Sequence, residues 1–490
     1  MTALQRHISG LTTEQIFVRV FALLILGSVG AAAVTGQPVL AGLPAGVLLL
    51  YLTVVDFRKV WFLLLFLMAF SVEVSLPGGL GTDLPNEPLM VLLTPIYLVY
   101  VIREARHLKG DFIRHPLSLL ILLHLGWIFL TTATSGDFVI SLKWMLAKTW
   151  YIIPFYFMTG SFIKTHRDAK KMMWALFVPL LLVLILTLVR HAMIGFSFEE
   201  VNYVMKPFFR NHVNYAAISV LFLPVLWFLR YDYRLFSRQR IFIGFGIIVF
   251  LAAVQFSYTR AAYVTLILSI GAYFIIRFKL MRYVTGLIII GLIAGLTHLF
   301  ANNKFLDYAP DFNKTVSHTN FDNLLEATAK GEDISTMERV YRWVAGYYMV
   351  LEKPLVGFGP GSFYSQYKGY TVTSFKTYVS RNEEKSTVHC YYLLVFAEQG
   401  VPGGLIFLVL VFAVLLYGEK IYHETLLPER RRMVMAMLLV FIIIGALNLI
   451  NDLIEADKVG PFFFISIAVM VNADLRNREK KAAARLAEEK

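Results

Sequence analysis

The stretch Leu405–Leu416 reads LIFLVLVFAVLL and contains no polar side chain. Ile243–Val254 (IGFGIIVFLAAV) and Val264–Phe274 (VTLILSIGAYF) are also uncharged, and each run extends toward the ~20 residues that a helix needs to cross a bilayer. The chain of 490 residues is 58% hydrophobic and 16% charged, with a mean hydropathy of +0.64. Soluble domains carry roughly 25% charged residues. The sequence therefore predicts an all-α, polytopic membrane protein.

About fourteen membrane helices are expected within a single integral membrane domain, 1–490. The expected spans are 16–35, 39–55, 59–74, 88–103, 116–133, 142–163, 171–190, 212–229, 240–257, 261–277, 282–300, 387–417, 431–450 and 460–474. The first apolar stretch has no cleavage pattern and is interpreted as a membrane helix rather than a signal peptide. One long connection, 301–386, interrupts the series, and a basic tail, 475–490, follows the last span.

Lysines and arginines cluster in alternate connections between these spans. Examples are Arg58, Arg103, Lys164, Arg230, Arg277 and Arg430. The opposite connections are short or acidic, as at 77–88 and 451–459. Because positively charged connections stay in the cytoplasm, both termini are expected there, and the long loop 301–386 is expected on the outside. The net charge of +13 is thus a topology signal, and nucleic acid is not an expected partner.

Some cations fall on the side that topology disfavours, and these are candidates for function. They are Lys143, Lys148, Arg190, Lys206, Arg210, Arg260, Lys458 and those of the long loop. The position of Lys458 on this side is sufficiently explained by three neighbouring acids, Asp452, Glu455 and Asp457. In the loop, Met337, Tyr341, Val344 and Tyr348 recur at helical spacing, which predicts an amphipathic helix that also carries Arg339, Arg342 and Trp343.

Two features exclude other kinds of site. The turn Gly357–Gly361 (GFGPG) lacks the glycine spacing of a dinucleotide fingerprint, and no alternation of strand and helix precedes it. The single cysteine, Cys390, excludes an internal disulfide and a cysteine-based metal site. No Asp-x-Asp pair lies on the expected outer side, so neither a metal nor a cofactor is expected.

Four motifs resemble the O-antigen ligase/polymerase superfamily of bacterial surface-polysaccharide enzymes. They are His389–Leu393 (HCYYL) followed by Gly400; Arg339–Trp343 (RVYRW) followed by Lys353–Gly361 (KPLVGFGPG); Ser257–Ala262 (SYTRAA); and, more weakly, Phe209–Ala216 (FRNHVNYA). Together they cover about residues 205–405. Cys390 departs from the serine or asparagine that more usually follows the histidine in that family.

The resemblance implies a GT-C-like membrane glycosyltransferase in the bacterial inner membrane, with its active site facing the periplasm. Its partners would be a glycan on undecaprenyl diphosphate as donor, a lipid or glycan hydroxyl as acceptor, and membrane lipids. Arginines suit the diphosphate because their planar fork binds phosphate oxygens in pairs, and we assign this role to Arg210, Arg260, Arg339 and Arg342. A histidine suits the removal of the acceptor proton, and we assign this role to His389. The transfer is expected to be inverting and independent of metal.

Structural readings compete with these roles. His389 could be an ordinary interfacial residue, Arg260 and Lys148 could extend along a helix end toward water, and for Lys148 that reading is preferred. One of Arg339 and Arg342 could only solvate the loop helix. The secondary candidates also have purely structural interpretations. Trp343 and Tyr392 could be interfacial aromatic residues, and His212 and Asn214 could cap a helix. Glu398 lies roughly 13–14 Å further along a helix than His389, too far to orient its ring.

Other functions remain open at this stage. Ligase, polymerase and protein O-glycosylating enzymes share the motifs, although the last often carry a further outer domain that this sequence lacks. A multi-span transporter or flippase of lipid-linked sugars would need polar residues at mid-membrane and internal repeats, and neither is evident. A cell-wall polymerase of the shape-and-elongation type would need an aspartate in the long loop, for which Asp307 and Asp311 are weak candidates.

Overall fold

Long helices account for the predicted membrane spans. The computed structural model describes residues 13–76, 80–106, 110–308, 334–372, 380 and 386–488. Its long helices are α1 (Thr13–Thr35), α2 (Leu43–Leu67), α3 (Asn86–Glu104), α4 (Pro116–Ala133), α5 (Phe138–Ile152), α6 (His166–Met193), α7 (His212–Leu229), α8 (Arg238–Gln255), α9 (Arg260–Arg277), α10 (Met281–Phe300), α11 (Ile334–Glu352), α12 (Tyr391–Glu424), α13 (Pro428–Leu447) and α14 (Gly460–Glu488). All but α11 coincide with predicted spans, and α11 is the helix expected in the long loop.

The count of spans stays a prediction. Within the described residues, nine helices are long and apolar enough to cross a membrane: α1, α2, α4, α6, α7, α8, α9, α10 and α12. The predicted spans 39–55 and 59–74 both fall on α2, which is interrupted at Asp56 by extended backbone (φ −152°, ψ 75°). The basic tail expected at 475–490 continues α14 as helix to Glu488.

A small hairpin is the one departure from the predicted all-α structure among the described residues, whose other regular elements are helices. Strands β1 (Val72–Leu76) and β2 (Leu80–Leu84) pair antiparallel, with Val72 opposite Leu84. The predicted span 59–74 is therefore too long at its end, because the chain has already turned into a strand. Two antiparallel strands need only a short turn between them, so a hairpin can form within a short segment. From the sequence alone, the apolar residues of this segment are compatible with a helix or with a strand.

The core is formed by three helices that are buried on all sides. Every residue is buried in 215–226 of α7, 433–441 of α13 and 460–472 of α14. A helix enclosed by others is hydrophobic all round rather than amphipathic, which agrees with the lack of a polar face in these stretches. By contrast, only 6% of the apolar window of α1 and 6% of that of α10 is buried. These two helices have the apolar, exposed surface that suits contact with lipid.

Polar contacts gather at two opposite ends of the bundle. One end, here called the basic end, holds the ion pairs Arg58–Asp168 (3.0 Å), Arg432–Asp232 (2.6 Å) and Arg478–Asp474 (2.7 Å). The other, called the loop end, holds α11, the hairpin and the starts of α7, α9, α12 and α14. The first two of these ion pairs join segments that the distribution of basic residues predicted to share one side, and the third lies within α14.

Candidate active site

His389 lies directly before α12 at the loop end, not within a helix. Its backbone has φ +54°, a left-handed conformation that few residues other than glycine adopt. Tyr391, two residues later, fixes this position, because its N–H donates to the carbonyl oxygens of Asn448 (2.9 Å) and Asn451 (3.1 Å). Strained backbone of this kind persists where the surrounding structure holds it, and it is common at functional sites.

The imidazole of His389 is neutral at physiological pH. Burial, together with the positive charges of Arg342 and Arg339, lowers the pKa of His389 from 6.5 to about 3. Its Nδ1 atom is buried and makes no hydrogen bond to any residue that the structure describes. Buried polar atoms are nearly always paired, so this nitrogen is a hydrogen-bonding atom left unpaired by the residues that the structure describes.

Both arginines of α11 lie close to residues 386–389, here called the His389 segment. The buried Arg342 donates to Ser386 Oγ (2.9 Å) and the Thr387 carbonyl (3.1 Å) and pairs with Glu338 (3.4 Å). Arg339 donates from Nε to the carbonyl of Ile450 (3.2 Å). Neither arginine merely solvates the loop helix, which answers the structural alternative for this pair.

The connection between α13 and α14, residues 448–459, meets the His389 segment from the other side. Its Asp452 accepts a hydrogen bond from the Thr387 hydroxyl (2.8 Å), two residues before His389. Burial raises the pKa of Asp452, while the charge of Arg210 opposes that rise. Sequence reasoning counted Asp452 only as an acid that marked topology. Its place in a short polar connection was the available signal, but nothing in the sequence tied it to His389.

Lys148 is buried, so the preferred interpretation of it as an interfacial lysine is wrong. Its ammonium lies 2.6 Å from Glu455 Oε1 and 5.5 Å from the centre of the Tyr391 ring. A buried charge is tolerated only when it is paired, and here the partner sits on the connection that also carries Asp452. Lys148 therefore fixes that connection to α5.

Lys458 anchors the same connection at its far end. Its ammonium donates to the carbonyls of Ala69 (2.9 Å), Ser71 (2.9 Å) and Phe208. The expectation that neighbouring acids alone explain it is incomplete, because backbone oxygens from two other segments satisfy its donors. Burial lowers the pKa of Lys458 to about 8.

The Arg210 and Arg260 motifs pack against each other. The Thr259 hydroxyl contacts the carbonyl of His212 at 3.4 Å, and Arg260 is the first residue of α9. Arg210 is exposed just before α7. The cap of α7 is Asn211, whose side chain accepts from the Asn214 N–H (3.0 Å). The alternative in which His212 or Asn214 caps this helix is therefore wrong.

The remaining secondary candidates differ in their placement. The Tyr392 hydroxyl donates to the Gly445 carbonyl (3.0 Å) and thereby joins α12 to α13, which is a structural contact. Trp343 is half-buried on α11, and its Nε1 atom is buried without a hydrogen-bond partner among the described residues. Asp311 lies outside the described residues, and only the backbone of Asp307 is described. Within the described ranges, no three His, Cys, Asp or Glu side chains are grouped as metal ligands.

The glycine-rich turn has a structural role next to the site. Glu398 accepts from the N–H groups of Gly361 (2.9 Å) and Phe363 (2.9 Å), so it holds the turn and does not orient His389. α12 is broken at Gly400 (φ +71°), where a side chain would lie 2.4 Å from the Leu355 carbonyl oxygen. The backbone at Gly400 thus packs directly against the backbone at Leu355, and this contact fixes the helix that follows His389.

Comparison with known proteins matches one part of the chain to a family. Residues 245–408 match the model of a family described as O-antigen ligase. The matched part is about a third of the chain and contains Arg260, Arg339, Arg342 and His389, whereas Arg210 and Asp452 lie outside it. No curated protein sequence matches the chain. The match over residues 245–408 supports the resemblance to the O-antigen ligase/polymerase superfamily and indicates a membrane enzyme of that type.

Proposed function

We propose that this protein transfers a glycan from an undecaprenyl-diphosphate carrier to a hydroxyl of a lipid or glycan acceptor, with inversion and without a metal ion. The observation that carries the proposal is the neutral imidazole of His389, whose buried Nδ1 has no partner among the described residues and whose flanks carry two arginines. A neutral nitrogen next to fixed positive charge suits the removal of a proton close to a bound anion.

His389 acts as the general base in this scheme. The acceptor O–H proton moves to the imidazole, and the acceptor oxygen forms a bond to the anomeric carbon of the donor glycan. The bond between that carbon and the phosphate oxygen breaks on the opposite face, so the diphosphate leaves with the electron pair. A single displacement of this kind inverts the configuration at the anomeric carbon.

Arginines hold the leaving diphosphate. Arg339, Arg210 and Arg260 are the candidates for direct contact, because both terminal nitrogens of Arg342 are hydrogen-bonded to Ser386, Thr387 and Glu338 and its Nε is buried. Arg342 then contributes mainly through its charge and by fixing the His389 segment. When a diphosphate binds among these arginines, its negative charge offsets theirs, and the pKa of His389 rises toward its ordinary value. The histidine thus becomes a stronger base when the donor is bound.

Asp452 and Lys148 are assigned positioning roles. Asp452 supports the Thr387 hydroxyl beside His389, and Lys148 holds the connection that carries Asp452 through Glu455. Catalytic groups must stay close to the productive geometry, and supporting contacts of this kind provide that precision.

The proposed location is the bacterial inner membrane, with both termini in the cytoplasm and the loop end facing the periplasm. The support is electrostatic, because arginine and lysine are concentrated at the opposite end of the bundle. Lipid-linked glycans would then meet the site on the side where surface polysaccharides are assembled.

The test is a transfer assay with purified full-length protein, an undecaprenyl-diphosphate glycan and candidate acceptors in the presence of a chelator. His389→Ala and Arg260→Ala should abolish or strongly reduce transfer. The matched control is His298→Gln, which changes an exposed histidine at the same end of the bundle. It should keep wild-type activity.

Three results would contradict the proposal. Undiminished transfer by His389→Ala would show that His389 is not the base. A strict need for a divalent metal would contradict the metal-independent mechanism. Movement of labelled lipid-linked sugar across the membrane without covalent transfer would favour a transporter or flippase instead.

A further inference from the structure

A cleft at the basic end, far from the candidate active site, is lined by cations. It lies between the segment after α5 and helices α6, α13 and α14. Lys164, Arg430 and Arg476 line it, one from each of three segments. This cleft is called the basic-end cleft below.

The three cations are close enough to repel one another. Burial lowers the pKa of Lys164, and so does the charge of Arg476. Glu479 and Glu429 lie close enough to offset part of this repulsion. Neither carboxylate forms an ion pair with these cations among the ion pairs of the described residues, whereas the neighbouring Arg432 is paired with Asp232. Clustered cations of this kind favour an anion, and arginine in particular favours phosphate.

Deeper in the bundle the cleft is lined largely by apolar side chains, and the Asn472 amide among them donates to the carbonyls of Gly160 and Ile163. Met433 and Val434 line it about one turn after Arg430 on α13, and Val469 lines it about two turns before Arg476 on α14. At 1.5 Å per residue, these side chains lie roughly 5–10 Å further from the basic end than the cations. The cleft is therefore charged at its mouth and apolar toward the middle of the bundle.

We infer that the basic-end cleft binds an anionic membrane lipid, with the lipid phosphate among Lys164, Arg430 and Arg476 and an acyl chain against the deeper apolar wall. A free phosphate is also negatively charged, but it makes no favourable contact with the apolar residues of the cleft. The order of charge and apolar surface along the cleft matches that of a phospholipid in one leaflet. This site is separate from the proposed transfer reaction and does not depend on it.

The test measures lipid binding by native mass spectrometry of the full-length protein in detergent, with added phosphatidylglycerol or phosphatidylcholine. The triple variant Lys164→Gln, Arg430→Gln, Arg476→Gln should bind phosphatidylglycerol about 100-fold more weakly, since each cation near an anionic lipid contributes roughly a fivefold preference. Phosphatidylcholine binding should change little.

The matched control is the triple variant Arg103→Gln, Arg234→Gln, Arg238→Gln, which removes three exposed cations from the same end of the bundle. It should keep wild-type binding. Equal losses in both triple variants would show a response to overall charge and would overturn the site.

A second comparison separates a lipid from a free phosphate. Ala473→Phe fills space at the apolar wall but keeps all three cations. It should therefore weaken the binding of phosphatidylglycerol and leave the binding of inorganic phosphate unchanged. If inorganic phosphate alone stabilises the wild-type protein as much as phosphatidylglycerol does, the cleft takes a free anion and the lipid assignment is wrong.

Discussion

Lowering the pH from 7.5 to 5.5 is expected to leave kcat/KM for the donor nearly unchanged. The pH dependence of kcat/KM reports ionisation in the free enzyme, where the pKa of His389 is lowered to about 3. At pH 5.5 the neutral imidazole would then outnumber the charged form by roughly 300 to 1, whereas an ordinary histidine would be about nine-tenths protonated. An ordinary histidine would thus lose about tenfold in rate.

The same reasoning predicts a different profile for kcat. Once the donor diphosphate is bound near Arg339 and Arg342, its charge raises the pKa of His389. The acid limb of kcat is therefore expected at higher pH than the limb of kcat/KM. In Arg339→Gln, where one of the depressing charges is removed, the kcat/KM limb should also move to higher pH.

Initial rates with a fluorescent lipid-linked glycan in proteoliposomes, measured at limiting and saturating donor from pH 5 to 8, provide the assay. Protein that has been held at pH 5.5 and returned to pH 7.5 controls for inactivation. A tenfold fall of kcat/KM on a limb near pH 6.5, with fully recoverable protein, would refute the reasoning about His389.

Stability supplies an independent measurement of the same group. Because the folded-state pKa of His389 lies below its unfolded value, protonation favours the unfolded chain, and stability is lost as the pH falls below about 6.5 toward 3. At pH 5.5 the loss is at most about 1.4 kcal/mol, and partial exposure of the ring reduces it. His389→Gln should lack this part of the acid sensitivity in thermal unfolding, and equal acid sensitivity of the two proteins would contradict the assigned pKa.

Three further substitutions test the supporting contacts. Lys148→Met leaves Glu455 without its partner and should cost about 2–4 kcal/mol with loss of transfer, while adding Glu455→Gln should restore part of the stability; an unchanged Tm would contradict the buried ion pair. Gly400→Ala should destabilise by about 3 kcal/mol or more, because the new Cβ would lie 2.4 Å from the Leu355 carbonyl oxygen at positive φ, and normal expression and Tm would show that the turn is not fixed there. Tyr392→Phe removes one hydrogen bond, worth about 1 kcal/mol, and should keep full kcat, so a tenfold fall in kcat would return Tyr392 to the site.

The positions of helices follow from local sequence to a large extent. Spans predicted at 116–133 and 212–229 coincide with α4 and α7, since the apolar character of about twenty consecutive residues is a local property. The family assignment was also accessible, because the motifs of the long loop and of α9 are short and contiguous. The same local signal predicts the wrong end for the span at 59–74, because apolar residues continue from a helix into β1.

The arrangement of the candidate site was only partly accessible from the sequence. His389, Arg260, Arg339 and Arg342 were identified from motifs, but their motifs say nothing of what supports them. The role of Asp452 beside Thr387 went unnoticed because it depends on two segments that meet only in the folded protein.

What the sequence by itself determined about this protein is its membrane-helix pattern, the separation of its basic and acidic connections, and the motifs that identify its family. Only the tertiary structure decided that Lys148 is buried against Glu455, 307 residues away, that Glu398 holds the glycine turn, and that His389 adopts a left-handed backbone with its Nδ1 enclosed. The physical reason is one of range. Hydropathy acts on neighbouring residues, whereas burial, ion pairing and the pKa of a histidine depend on whichever distant segments the fold brings into contact.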